Sequence, residues 1–120
     1  MIGITYEAYS PLGGPDLHGK SVMSYPEIVS IAKVHTVSGA QVAMRWVVQQ
    51  GVAVVTATGA TFPTQYQYYS MQIILVTHFH AVSLWAAGNK EYMAEDMAVL
   101  GFELSEAEMS RLSAVTGAPP

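Results

Sequence analysis

Strand-like and helix-like blocks alternate along the chain. The first block, Ile2–Tyr9, is apolar, aromatic and β-branched. Pro11 and Gly13-Gly14 close it, so it reads as a short buried parallel strand that delivers a loop. A helix start follows at Ser24-Tyr25-Pro26-Glu27, with Ser24 as cap, Pro26 in the first turn and Glu27 completing a capping box. Ile28, Ile31, Ala32 and His35 then share one helical face. A second capping box, Ser38 to Gln41, opens another helix that presents Val42, Ala43, Trp46, Val47 and Gln50, and Gly51 stops it. The two helices meet at Thr36-Val37. Val52-Ala53-Val54-Val55-Thr56 is the next strand, β-branched and apolar throughout. Towards the C-terminus, Asn89 caps a helix with Glu91 in its first turn. Ser105 to Glu108 forms a third capping box ahead of Met109, Leu112 and Ser113. Strand, helices, strand, helices is an α/β order.

Composition sharpens this picture. The 120 residues are 51% hydrophobic and 12% charged, about half the usual charged share of ~25%. Such an apolar excess suits a piece of a larger core or a membrane-associated chain. The net charge of −4, with no basic cluster, argues against nucleic acid. With no cysteine there is no disulfide framework and no thiol chemistry. The N-terminus lacks the basic region of a signal peptide and meets Glu7 at once, so a cytoplasmic protein is the expectation. Opening directly on a strand is the mark of a truncated or misplaced start at Met1. Residues 46–89 hold no Asp, Glu, Lys or Arg, whereas both flanks are of mixed charge.

Within that uncharged window, residues 71–87 (MQIILVTHFHAVSLWAA) are mostly apolar. Seventeen residues fall short of the ~20 that span a bilayer, and Gln72, His78 and His80 weaken the span further. Tyr68, Tyr69 and Trp85 imitate an interfacial belt. A docked apolar helix or strand, or an aggregation-prone loop, are the other readings. His78 and His80 share a face if the segment is a strand. Two imidazoles with no third ligand do not make a metal site, so none is expected. His18-Gly19-Lys20 reads as a solvated loop, and Trp46 as a core residue by its helical spacing. Arg45 is expected to cap or pair within the fold.

Three stretches carry a family resemblance. Glu7-Ala8-Tyr9-Ser10-Pro11-Leu12-Gly13-Gly14 resembles the seventh strand and following loop of the aldo-keto reductases, NAD(P)H-dependent enzymes built on a (β/α)₈ barrel. The segment IAKVHTVSGAQVAMRWVVQQG, with its Ala-Gln-Val-Ala-x-Arg-Trp core, is similar to the seventh helical segment. FELSEAEMSRLSAV resembles the closing segment. The resemblance covers residues 2–59 and 89–115. It implies an α/β fold, the C-terminal part of a (β/α)₈ TIM barrel from about strand seven to the final helices. A complete barrel needs roughly 200 residues or more, so the barrel is incomplete. An uncharged insert interrupts it. The implied division is residues 1–59 for strand seven, helical segment seven and strand eight, 60–88 for the insert, and 89–120 for the last helices. Removing 60–88 rejoins Thr-Ala-Thr-Gly to Asn-Lys-Glu-Tyr without a gap in the pattern, which suggests a translated intron.

The resemblance also implies a division of chemistry. The catalytic Asp, Tyr, Lys and His of the family match no position here, so no catalytic residue is assigned. The cofactor side can be carried over, for NADP(H) or NAD(H). Ser10, Leu12 and Gly13 match the loop after strand seven, and Thr58 a Ser after strand eight. Asn89, Glu95 and Asp96 match residues at the adenosine end. Ala57 and Tyr92 stand where the family carries Lys and Arg, and Lys90, displaced by two positions, is a substitute cation. Losing both cations weakens NADP against NAD, since a phosphate wants Arg or Lys. The partners implied for the complete enzyme are a nicotinamide cofactor and a small carbonyl substrate. The competing readings are a non-enzymatic remnant or interaction fragment, and a small membrane-associated protein anchored by residues 71–87.

Overall fold

The computed structural model describes residues 6–9, 11–12, 21–57, 73–77, 80–85 and 90–117. Strand β1 is Glu7–Tyr9, and a single 3₁₀ turn, Val22–Ser24, leads into helix α1, Pro26–His35. Helix α2, Gly39–Gln49, is followed by strands β2 (Ala53–Ala57), β3 (Ile73–Thr77) and β4 (His80–Trp85). Helix α3, Lys90–Ala98, runs into a 3₁₀ turn, Val99–Gly101, and helix α4 is Glu106–Ser113.

The strands form one four-stranded sheet in the order β1-β2-β4-β3. β1 lies parallel to β2, with Tyr9 opposite Val55. β4 lies parallel to β2 on the other side, with Ala57 opposite Trp85. β3 runs antiparallel to β4, pairing Thr77 with His80. The described residues of the apolar tract, 73–77 and 80–85, are therefore paired antiparallel strands. Their β-branched Ile73, Ile74, Val76 and Val82 suit a pleated surface. Among the described residues no helix is long and apolar enough to cross a membrane. His78 lies outside the described residues and His80 opens β4. Among the described residues no cluster of three metal-binding side chains occurs.

β1 departs from expectation. Instead of a strand enclosed by neighbours, it is the end strand of the sheet, with Tyr6 71% exposed and Glu7 exposed. The start of α1 departs too. Its N-cap is Tyr25, extended at φ −61° and ψ 132°, with no side-chain cap bond. Pro26 forces that geometry on the residue before it, which moves the boundary one residue past Ser24. The Ser24 hydroxyl instead donates to the Ser21 carbonyl at 2.6 Å, and Ser21 Oγ caps the 3₁₀ turn by accepting from the Met23 amide at 3.2 Å. The other two capping boxes form as predicted, at Ser38/Gln41 and Ser105/Glu108. The joint at Thr36-Val37 also forms. Thr36 turns left-handed at φ 57°, and the Val37 amide donates to the Ala32 carbonyl at 3.0 Å. Gly39 lets α2 start hard against α1, because a Cβ there would sit 3.2 Å from Ile28 Cγ2 and 3.3 Å from Met23 Cβ.

Helix α2 is buried on two sides. Val42 and Ala43 pack with Ile28, Ile31, Leu104 and Leu112, with Trp46 partly buried beside them. Met44 and Val48 pack with Val54 of β2 and Val99. The expected single face (Val42, Ala43, Trp46, Val47, Gln50) is thus widened, and Gln50 is exposed. Leu12 touches both clusters. Helix α4 packs Leu112 and Met109 against the first cluster, and polar contacts add to this. His35 Nε2 meets Glu108 Oε1 at 2.9 Å, Arg111 Nη2 donates to Ser30 Oγ at 2.9 Å, and the Tyr25 hydroxyl donates to the Gly117 carbonyl at 2.6 Å. His35 also stacks at a tilt on Phe102, ring centres 5.4 Å apart. Burial works against the Glu108 charge. Hydrogen bonds from the Ser105 amide and hydroxyl and from His35 outweigh it and hold the carboxyl below the usual range.

Met44 is 1% exposed at the α2–β2 contact. Met44→Ala is expected to cost about 2–5 kcal/mol in urea unfolding, whereas Val34→Ala, at a side chain 74% exposed, should stay within about 0.5 kcal/mol.

Candidate functional site at the C-terminal edge of the parallel strands

Three strands point the same way, β1, β2 and β4. Their C-terminal ends therefore release three chain segments at one edge of the sheet. After β1 come Pro11 and Leu12, after β2 the segment beginning at residue 58, and after β4 the start of α3 at Lys90. Open α/β sheets and α/β barrels place ligand sites at this edge. A helix N-terminus there adds free amides and a partial positive charge.

A polar stripe on α2 holds the region 95–104, including Glu95 of α3. Gln41, Arg45 and Gln49 are spaced four apart and so lie on one side of the helix. Gln41 Nε2 donates to the Glu95 carbonyl at 2.9 Å, while its Oε1 accepts from the Ser38 amide at 2.9 Å. Arg45 Nη1 donates to the Val99 carbonyl at 3.4 Å and Arg45 Nε donates to Gln49 Oε1 at 2.8 Å. Gln49 brackets Leu104, accepting from its amide at 2.6 Å and donating to its carbonyl at 3.0 Å. Three side chains of one helix thus satisfy backbone groups along 95–104 that would otherwise be costly to bury. Burial lowers the Arg45 pKa and Glu103, 3.7 Å away, opposes that shift. Glu103 is 87% exposed, so this pair contributes little. The expectation that Arg45 pairs within the fold holds. Gln49 was not singled out from sequence, although a polar residue every fourth position along an apolar helix was a usable signal.

The sequence-derived site residues divide sharply. Leu12 is described and is a packing residue, lodged between the two clusters. Lys90 is the first residue of α3. Glu95 is exposed, and its carbonyl is the anchor for Gln41. Asp96 is buried, at 7% exposure. Ser10, Gly13, Thr58 and Asn89 lie outside the described residues. The structure brings Glu95 and Asp96 against α2 through the Gln41 bond. Burial pushes the Asp96 carboxyl up to about 6, and the neighbouring Glu95 charge adds to the rise.

No family model matches the chain. Curated relatives do. A 7-acetyl-epi-neemfruitin B aldo-keto reductase of Melia azedarach is 48% identical over 56 residues, 45% of this chain and 18% of the relative. Morphine 6-dehydrogenase of Pseudomonas putida is 31% identical over 119 residues, 92% of this chain and 30% of the relative. A (1S)-1,7-diacetoxy-luvungin A aldo-keto reductase of Citrus sinensis is 30% identical over 115 residues, 94% of this chain and 27% of the relative. The resemblance to the aldo-keto reductases read from the motifs is borne out. The chain spans less than a third of the length of these relatives.

Asp96 sets a pH dependence. Folding favours its protonated form, so its contribution is full below the ordinary carboxylate range and is lost as pH rises through about 6. Asp96→Asn should flatten the stability curve between roughly pH 4 and 6 and raise stability at pH 7 by on the order of 2 kcal/mol. Urea titrations at several pH values measure this, and an unchanged slope for the variant would contradict the burial of the charge.

Proposed function

We propose that the chain is the cofactor-side end of an aldo-keto reductase, a kind of enzyme that reduces aldehydes and ketones with NAD(P)H. In this reading it supplies cofactor contacts and no reacting residues. The observation that carries the reading is the parallel run of β1, β2 and β4, with Pro11 and Leu12 following β1 and α3 following β4 in the chain. Both belong to stretches with the family resemblance.

The residues proposed to hold the cofactor are Ser10, Leu12 and Gly13 on one side, with Thr58, Asn89, Lys90, Glu95 and Asp96 on the other. The α3 N-terminus suits a pyrophosphate, and Lys90 supplies the cation nearest to it in sequence. The acidic pair at Glu95-Asp96 suits an adenosine better than a further phosphate, which favours NAD(H) over NADP(H). When bound, the cofactor supplies a hydride; this chain's residues bind and orient it. The carbonyl substrate and the proton donor lie with the rest of the proposed enzyme, which we place in the cytoplasm. The region 60–88 is proposed as an insertion into the cofactor loop, tolerated because β4 restores a parallel strand ahead of α3.

Fluorescence titration of the purified chain with NADH and NADPH tests the reading. Saturable binding of either, tighter for NADH and without turnover of a small aldehyde, is expected. Loss of the signal in Lys90→Glu is expected as well. No saturable binding of either dinucleotide would favour the remnant reading. Turnover by the chain alone would contradict the proposed absence of catalytic residues.

A further inference from the structure

We infer that a groove between α1 and the start of α2 binds a free carboxylic acid with a medium-length aliphatic tail, its carboxylate at Lys33 and its tail along Met23, Val29 and Val37. None of these residues belongs to the proposed cofactor set.

Val29, Ala32, Lys33 and the C-cap Thr36 follow one another at i, i+3, i+4 and i+7, so they share one side of α1. This side lies beside the one that packs Ile28 and Ile31 into the first cluster. Met23 of the 3₁₀ turn, Val37 of the joint and Gly39 of α2 complete a groove of about 540 Å³ with them. That volume lies within the roughly 300–1,000 Å³ of small-molecule sites. The Val37 amide is already spent on the Ala32 carbonyl at 3.0 Å. Met23 and Val29 remain 39% and 40% exposed, which leaves apolar surface in water for an aliphatic tail to cover.

Charge selects the head group. Among the described residues Lys33 is the one charged side chain lining the groove. It is exposed and forms no ion pair with a described residue. The basic groups around it are taken, His35 by Glu108 and Arg111 by Ser30. Glu27, the acidic residue of α1, sits in its first turn and Lys33 in its last, and the first turn of α2 carries no acid. A lysine lays its methylenes along apolar surface and holds its ammonium at the rim. One cation above an apolar floor matches one negative charge on an apolar tail. A dianion would leave a charge unmatched there.

Thr36 adds a donor. It is left-handed at φ 57°, where Gly or Asn is the usual choice and a β-branched residue is a genuine outlier. Its hydroxyl has no partner among the described residues. It lines the groove with Lys33, three positions earlier on the same side of the helix, so hydroxyl and ammonium can share one carboxylate.

Calorimetric titration of the full chain with sodium decanoate, below its micellar concentration, tests this. Saturable binding at one site is expected. Octanoate should bind about fourfold to fifteenfold more weakly for its two missing methylenes, and decanol about tenfold more weakly for its missing charge. Lys33→Ala should weaken decanoate about tenfold while Lys33→Arg retains it. Thr36→Gly keeps the backbone turn and should weaken it about threefold. Val29→Asp should abolish binding, and Val34→Asp, at an exposed position outside the groove, should leave it intact. In amide spectra decanoate should move Met23, Val29 and Val37. No saturable binding, several sites per chain, equal affinity for decanol, or unchanged binding by Lys33→Ala overturns the inference. Signals that move at Trp46 and Leu112 instead also overturn it, in favour of the separate groove those residues line.

Discussion

The stripe Gln41–Arg45–Gln49 is the constraint on which the rest of the arrangement depends. Helix α2 lies between two apolar clusters, and a helix so placed has little room for polar residues. The three it keeps on this stripe all bond to the region 95–104. The bond to the Val99 carbonyl is buried and the others are partly buried. The contacts therefore specify position more than they add raw stability. Apolar packing of Val99 and Leu104 tolerates small shifts, whereas bonds to the carbonyls of Glu95, Val99 and Leu104 admit one register. Gln41 thus fastens α3, and Arg45 and Gln49 fasten Val99 and Leu104 beyond it, to a helix far away in sequence.

The clamp joins residues that lie on either side of the β3–β4 strand pair. The chain leaves β2, forms the β3–β4 hairpin and returns through β4 parallel to β2. The clamp needs nothing from the hairpin: its donors lie in α2 and its acceptors in 95–104. β4 and β3 widen the sheet by two strands, and the residues on either side of the pair keep their mutual contacts.

Much of this was legible in the residues. The capping boxes at Ser38 and Ser105 are local chemistry, and local chemistry decides them. Ser24 failed because a second local rule, the extended conformation imposed before Pro26, moved the boundary. A strand was only one of several readings of the 71–87 tract. An apolar run with two interior histidines has no periodicity that separates strand from helix; pairing with β2 decides it. The exposure of β1 was illegible for a related reason, since a strand's neighbours are non-local. At the site, the motif stretches indicated which residues to inspect. They did not show that Leu12 is a packing residue or that Asp96 is buried enough to be pushed up to about 6. Burial is a tertiary property. The Ala-Gln-Val-Ala-x-Arg-Trp core supplies two of the three clamp residues, so part of that motif has a structural explanation here.

Residue-resolved hydrogen exchange tests the central place of α2 most directly. If α2 is the doubly buried spine that fastens α3, the amides of Val42 to Val48 exchange last. Gln41→Ala and Gln49→Ala should then speed exchange in α3 and around Leu104 while leaving α1 nearly unchanged. Exchange in α2 as fast as in α4, or α3 amides indifferent to both substitutions, would contradict it.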